Sequence, residues 1–134
     1  MTRLKGILWA VLTDADRHRL LERAGQMHAT PQAHHCTLHY DCDFGDVHHY
    51  IGETFTVQTI ANCWDDQIQA MTVRLPEMVY AQIAIPHITI SKAEDINAGY
   101  ATQMLQRRHF AVSQAMSFTL CIEFAEFKNP PCPS

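Results

Sequence analysis

Two short segments of this chain share one pattern, in which a histidine and a threonine lie two residues apart. The first segment reads HCTL at residues 35–38, and the second reads HITI at residues 87–90. Side chains alternate between the two faces of a strand, so the His and Thr of each segment project from one face and the apolar residues from the other. If the two strands lie near each other in a sheet, two imidazoles and two hydroxyls converge on one cleft.

These residue types suit proton transfer at phosphorus. One imidazole can deprotonate an attacking water while the other protonates the leaving oxygen, because an unperturbed pKa of about 6.5 allows both forms near neutral pH. The hydroxyls can donate hydrogen bonds to the non-bridging phosphate oxygens. The expected catalytic residues are therefore His35, Thr37, His87 and Thr89, with no metal or other cofactor.

Four further residues are candidates for substrate contact. Ser91 continues the alternation of the second motif, and His39 continues that of the first. Trp9 and Tyr40 are aromatic residues that could stack on a base, although core packing is the other use of each. The expected substrate-binding residues are therefore Ser91, His39, Trp9 and Tyr40.

The alternate positions of the first motif are expected to face away from the cleft. His34 then takes a structural or surface role, and Cys36 lies too far from the imidazoles to act as a nucleophile. The loop at residues 39–49 is rich in His, Asp and Cys. Its mixed residue types lack the paired spacing of tetrahedral zinc sites, so a metal-binding protein is the weaker alternative.

The repeated His-x-Thr-hydrophobic motif resembles the signature of the two-histidine (2H) phosphoesterase superfamily. Its members include RNA 2′,3′-cyclic phosphodiesterases, the cyclic phosphodiesterase domains of fungal and plant tRNA ligases, and phage enzymes that cleave cyclic oligonucleotide signals. The segments AHHCTL at residues 33–38 and PHITIS at residues 86–91 resemble the two halves of a small branch. The resemblance extends over residues 4 to about 108.

The resemblance implies an α+β fold class. It implies a bilobal domain with internal pseudo-symmetry, in which two antiparallel sheets face a central cleft and helices lie on the outside. One motif comes from each lobe, with His35 and His87 as acid and base and Thr37 and Thr89 orienting the phosphate. The short connection between the motifs predicts a minimal member without the substrate-gripping loops of larger relatives.

The expected function is metal-independent hydrolysis of a phosphodiester, with a 2′,3′-cyclic phosphate on a nucleotide or RNA end as the favoured substrate. Alternatives are a 2′-5′ oligonucleotide, a cyclic oligonucleotide signal, or a nucleotide- or phosphate-binding module without turnover. The net charge is −4, and the ten Lys and Arg residues are scattered. Proteins that grip long duplexes need many cations, so the expected partner is a small nucleotide or an RNA 3′ end, with no long duplex and no membrane.

The remaining sequence predicts one domain over residues 1–127 and a Pro-rich tail over residues 128–134. The expected strands are 4–12, 34–40, 53–63, 68–75, 87–91 and 118–127, and the expected helices are 13–28 and about 96–108. Five cysteines without a C-x-x-C pair are typical of reduced thiols in a cytoplasmic protein. The apolar first strand is too short to cross a bilayer, and no small-residue cleavage site of a signal peptide follows it.

Overall fold

A computed structural model describes residues 4–127, so the expected tail at 128–134 lies outside the described residues. The elements in chain order are β1 (Lys5–Val11), α1 (Asp14–Ala24), β2 (Thr30–Pro31), β3 (His35–Asp43), α2 (Phe44–Val47), a 3-10 turn (His48–Tyr50), β4 (Thr54–Trp64), β5 (Ile68–Arg74), β6 (His87–Lys92), α3 (Tyr100–Gln106), β7 (Phe110–Ser113) and β8 (Ser117–Glu126).

The named strands form one antiparallel sheet that closes on itself. The order is β2-β6-β3-β1-β8-β4-β5, and β5 pairs in turn with β6, so six strands complete a ring. Outside the ring, β2 pairs with β6 and β7 pairs with β4. The antiparallel pairing of the predicted α+β class is present. The expectation of two separate facing sheets is corrected, because β6 is hydrogen-bonded on one side to β5 and on the other to β3.

Most neighbouring strands of the ring pair over several residues, but β3 and β6 meet at one residue pair, Cys36 and Ile88.

The main apolar cluster contains fully buried side chains from many elements, among them Leu8, Leu20, Leu38, Met71, Ile88 and Leu120. A smaller cluster packs α3 onto β5 through Ala101, Met104 and Ile68. The core therefore anchors both motif strands through their apolar residues.

Helix α1 begins as the sequence predicts. Thr13 Oγ1 accepts a hydrogen bond from the Asp16 backbone N–H at 3.1 Å, which satisfies a donor that a helix start leaves free. The helix ends at Ala24, four residues before the expected end, because Gly25 takes a φ of 74°. Glycine adopts that left-handed backbone at no steric cost, so the chain turns there.

Three other expectations about elements are corrected. The segment at residues 39–49, expected to be a loop, contains the end of β3, α2 and the beginning of the 3-10 turn. Helix α3 covers only Tyr100–Gln106, and β7 had no counterpart in the sequence pattern. All four β7 side chains are exposed, so this strand lacks the alternation from which a strand is predicted.

The described cysteines carry free thiols, at Cys36, Cys42, Cys63 and Cys121. This agrees with the reduced state expected from the sequence. Over residues 4–127, no helix combines the length and the apolar character needed to cross a membrane. The cytoplasmic location stays a prediction.

The buried side-chain amide of Gln69, on β5, links the end of α1 to β4 and β6 by hydrogen bonds. Its Nε2 donates to the Gly25 carbonyl at 3.0 Å and to Asn62 Oδ1 on β4 at 3.1 Å. Its Oε1 accepts from Ser91 Oγ on β6 at 2.6 Å and from the Met27 backbone N–H at 3.1 Å. Gln69 is fully buried, so its hydrogen-bond partners could not bond to water in place of its amide.

Replacing this amide by an isosteric apolar group should destabilise the fold. We expect Gln69→Leu to lower the free energy of unfolding by about 3 kcal/mol, because several buried polar groups lose their partner at once. Chemical denaturation followed by circular dichroism measures the loss. Gln67→Leu, in the exposed turn before β5, is the matched control and should change stability by less than about 0.5 kcal/mol. Equal stabilities of the two variants would contradict this role of Gln69.

Candidate active site

The single pair that joins β3 to β6 determines how the two motifs meet. Cys36 and Ile88, the middle residues of the two His-x-Thr segments, pair in antiparallel register, and both side chains are fully buried. The residues on either side of them therefore project to the opposite face of the sheet. Antiparallel register also sets the histidine of each motif across from the threonine of the other.

That opposite face is the floor of a cleft of about 470 Å³. The cleft is lined by Ile7, Trp9, His35, Thr37, Tyr40, Ile83, His87, Thr89, Asn97, Ala98, Gly99 and Thr102. The structure thus brings together the two imidazoles and two hydroxyls of the motifs. It adds an apolar and aromatic wall from β1, β3 and the segment before β6, and a wall of small and polar residues around the start of α3.

His87 has a fixed ring orientation. Its Nδ1 donates a hydrogen bond to the Ile85 carbonyl oxygen at 2.7 Å, and a carbonyl can only accept. The proton on Nδ1 leaves Nε2 as the ring nitrogen available to a ligand. Burial lowers the pKa of His87, and the Ile85 carbonyl opposes that shift by stabilising the protonated ring.

His35 lies in a different environment. Burial lowers the pKa of His35 to about 4, with further lowering from the neighbouring charges of His34 and His87. Its ring packs on the Trp9 indole, with centroids 4.0 Å apart, and its Nδ1 lies 3.0 Å from Nδ1 of His34. His35 is therefore neutral at ordinary pH, whereas His87 has a carbonyl that favours its protonated form.

The surface position expected for His34 is confirmed, but its ring does not face away from His35 as strand alternation predicts. His34 precedes the first residue of β3, so strand alternation does not extend to it. Its exposed ring turns back against His35 and also meets the edge of Trp9, at a centroid distance of 5.3 Å. An exposed histidine therefore contacts one of the two cleft histidines directly.

Irregular pairing between β1 and β3 determines which of two predicted contact residues, His39 and Tyr40, lines the cleft. The register slips after Thr37 and again after His39, so β3 carries extra residues there, and Asp41 has a φ of 57°. Tyr40 consequently lines the cleft. His39, which regular alternation would place there, lies outside the lining and hydrogen-bonds the Tyr80 hydroxyl at 2.8 Å.

Ser91 is a further correction. The pairing of β6 with β5 slips by one residue between Thr89 and Ser91, and a bulge of this kind breaks the alternation of side chains. Ser91 is fully buried, donates to Gln69 and accepts from the His28 backbone N–H at 3.1 Å. It lies outside the cleft lining and belongs to the hydrogen-bond network beneath α1.

The two predicted aromatic contacts both line the cleft, but they differ in what they offer a ligand. Trp9 is covered by the His35 ring and by the edge of His34, so its indole supports the histidines. Tyr40 contacts the Phe127 ring at a centroid distance of 5.4 Å, but it is 65% exposed and keeps most of its surface open at the cleft. Tyr40 is thus the better placed of the two to meet a base.

The polar residues of the far wall, Asn97 and Thr102, were not singled out in the sequence. They flank the start of α3, which follows the second motif strand in the chain. That proximity is the one signal that points to them. Neither periodicity nor a motif marks them, because their approach to the cleft depends on how α3 packs on β5.

The alternative metal site at residues 39–49 does not assemble. Within residues 4–127, no three His, Cys, Asp or Glu side chains come close enough together to hold a metal ion. The His48 ring stacks on Phe44, and the His49 ring packs on Tyr50. The histidines of this segment pack against aromatic neighbours, which gives the metal-binding hypothesis no support.

Comparison with known proteins agrees with the geometry of the cleft. The family model described as the fungal tRNA ligase phosphodiesterase domain matches residues 3–130, which include both motifs and the last strand. A search of the curated proteins found no match. The family match thus extends beyond the region in which the motifs alone show a resemblance. The chain belongs to the fungal tRNA ligase phosphodiesterase domain family, which is of the two-histidine phosphoesterase type.

Proposed function

We propose that this protein hydrolyses a 2′,3′-cyclic phosphate on a nucleotide or RNA end to a phosphomonoester, without a metal. The observation that carries the proposal is the pairing of the two His-x-Thr motifs at Cys36 and Ile88, with both imidazoles on one cleft. The family's description as a phosphodiesterase domain of tRNA ligases supports an RNA end as substrate.

The ring environments favour His35 as general base and His87 as general acid. His35, with a pKa lowered to about 4, is neutral and can accept the proton of the attacking water. His87 keeps a proton more readily because the Ile85 carbonyl stabilises its charged form. As the water oxygen bonds to phosphorus, His35 takes its proton, and His87 protonates the departing ribose oxygen as that P–O bond breaks.

The charge of the cleft favours a diester over a monoester. Thr37 and Thr89 can donate hydrogen bonds to non-bridging oxygens, and the lining residues described include no Lys, Arg, Asp or Glu. A cyclic diester carries one negative charge, whereas a monoester approaches two at neutral pH. With the single positive charge of a protonated His87, the lining matches the one charge of the diester better than the near-double charge of the monoester.

The size and shape of the cleft suit a nucleotide. Its volume of about 470 Å³ lies in the range of small-ligand sites. The exposed Tyr40 ring offers a stacking surface that accepts a base without reading its identity. A mononucleotide or the last residue of an unpaired strand fits these features, whereas a duplex end would keep its bases stacked on each other.

Removing either cleft imidazole should abolish most turnover. We expect His35→Ala and His87→Ala each to lower kcat by about 10²- to 10⁴-fold, because each removes one proton-transfer step. The assay measures release of a 2′-phosphomonoester from a 2′,3′-cyclic nucleotide in the presence of EDTA. His18→Ala, exposed on α1, is the matched control and should keep parental activity.

The same assay separates the alternatives. Activity of the parental protein that disappears with EDTA would contradict the metal-independent mechanism. Turnover restricted to 2′-5′ or cyclic oligonucleotides would replace the proposed substrate by one of those. Binding without turnover of any of these compounds would contradict the proposal and leave a phosphate-binding module.

The lowered pKa values predict an acidic optimum. The base His35 must be unprotonated, so kcat/KM rises as the pH passes its pKa of about 4. The acid His87 must be protonated, so kcat/KM falls as the pH rises through a pKa below the usual 6.5. A pH profile of kcat/KM on a cyclic mononucleotide should therefore peak on the acidic side of 6.5. A profile that is flat, or that peaks at alkaline pH, would contradict this assignment.

The stacking role of Tyr40 makes a separate prediction. We expect Tyr40→Ala to raise KM for a cyclic mononucleotide by about 10-fold with little change in kcat, since stacking on one base contributes about 1–3 kcal/mol. Phe110→Ala is a matched control, because Phe110 on β7 is 64% exposed, similar to Tyr40, and lies outside the cleft lining. An unchanged KM in Tyr40→Ala would remove Tyr40 from the base site.

A further inference from the structure

The contact between His34 and His35 joins a solvent-exposed imidazole to a cleft imidazole. Their Nδ1 atoms lie 3.0 Å apart, and the rings are inclined at 78°. Trp9 contacts both rings and so limits their movement. His34 is outside the cleft lining, and its ring contacts two residues that line the cleft, His35 and Trp9.

A hydrogen bond between two Nδ1 atoms holds one proton, and the ring that supplies it determines the state of both. If His35 donates from Nδ1, then His34 accepts with its lone pair, and the Nε2 of neutral His35 keeps a lone pair of its own. If His34 donates instead, His35 accepts at Nδ1 and must carry its proton on Nε2. In the first arrangement Nε2 of His35 can act as a base, and in the second it can only donate.

We propose that His34 is a positioning residue that sets the tautomer of His35: neutral His34 leaves the His35 Nε2 lone pair free, and protonated His34 moves a proton onto that atom. Its role in turnover rests on the function proposed above. The tautomer itself depends only on the contact of the two rings, so it can be tested whether or not that function holds.

The surroundings of His34 and His35 keep the His35 ring neutral, so its tautomer decides whether its Nε2 can accept a proton. Since the pKa of His35 is lowered to about 4 by burial and by nearby histidine charge, this ring is neutral near neutral pH and differs only in which nitrogen carries its proton. The titratable groups on the elements beside the pair include His87 in the cleft, Cys36 and Cys121, and Glu123, an exposed β8 residue in register with Trp9. His87 is engaged with the Ile85 carbonyl through its Nδ1.

The variant His34→Asn isolates the arrangement in which residue 34 accepts the Nδ1 proton of His35. The asparagine side-chain oxygen can accept the Nδ1 proton of His35, but the amide does not take up a proton at ordinary pH. His34→Ala removes the acceptor altogether. His48→Ala is the matched control, because His48 is also exposed and its Nδ1 is bonded locally, to the Gly45 carbonyl at 3.2 Å.

The direct test is nitrogen-15 NMR of the histidine rings in the full chain across a pH titration. In the parental protein and in His48→Ala, we expect the His35 proton to move from Nδ1 to Nε2 as the pH is lowered. In His34→Asn, it should stay on Nδ1 throughout. A His35 tautomer that is the same at every pH and in every variant would overturn the proposal.

Kinetics on a cyclic nucleotide then test the consequence for turnover. We expect His34→Ala to lower kcat/KM by about 10-fold, which is typical for loss of a partner that orients a functional histidine. His34→Asn should restore most of it and make the acidic limb of the pH profile shallower, because one protonation no longer acts. A parental pH profile in both variants would overturn the role in turnover. A tautomer switch in a protein without any turnover would support the positioning and refute the proposed function.

Discussion

The pairing of Cys36 with Ile88 closes the sheet between β3 and β6 and brings the two motifs together. Every other junction of the closed sheet consists of several residue pairs, but β3 and β6 meet here alone. Both side chains are fully buried, so moving either strand would expose apolar surface or open the ring. The same pair turns the flanking His and Thr residues of both motifs to the cleft. The apolar residues of the His-x-Thr motif are therefore as much a part of the site as its polar residues.

Burial at this junction also determines the chemistry. It lowers the pKa of both cleft histidines, which alone would leave two similar neutral rings. Their second contacts separate them, since His87 meets a carbonyl oxygen and His35 meets another histidine. Two titratable groups whose environments push their pKa values apart can serve as acid and base at one pH. The asymmetry lies in these partners, because the motifs themselves are nearly identical.

The sequence predicted the parts of the fold and site that depend on local pattern. The strands that carry both motifs, the start of α1 and the strands β4 and β5 follow from hydrophobic alternation and periodicity. The sequence did not reveal where alternation fails. Bulges in β3 and β6 bring Tyr40 to the cleft and remove His39 and Ser91 from it, and such bulges depend on the partner strand. Closure of the sheet likewise depends on long-range pairing of β5 with β6, which no local pattern encodes.

In the proposed mechanism, His35 and His87 act as one unit across the Cys36–Ile88 pair. The most direct measurement is kcat of His35→Ala, His87→Ala and the double variant on a 2′,3′-cyclic nucleotide with EDTA present. Groups that act in one concerted step are strongly non-additive, so the double variant should be no slower than the slower single variant. Losses that multiply in the double variant, or parental activity in either single variant, would contradict the account.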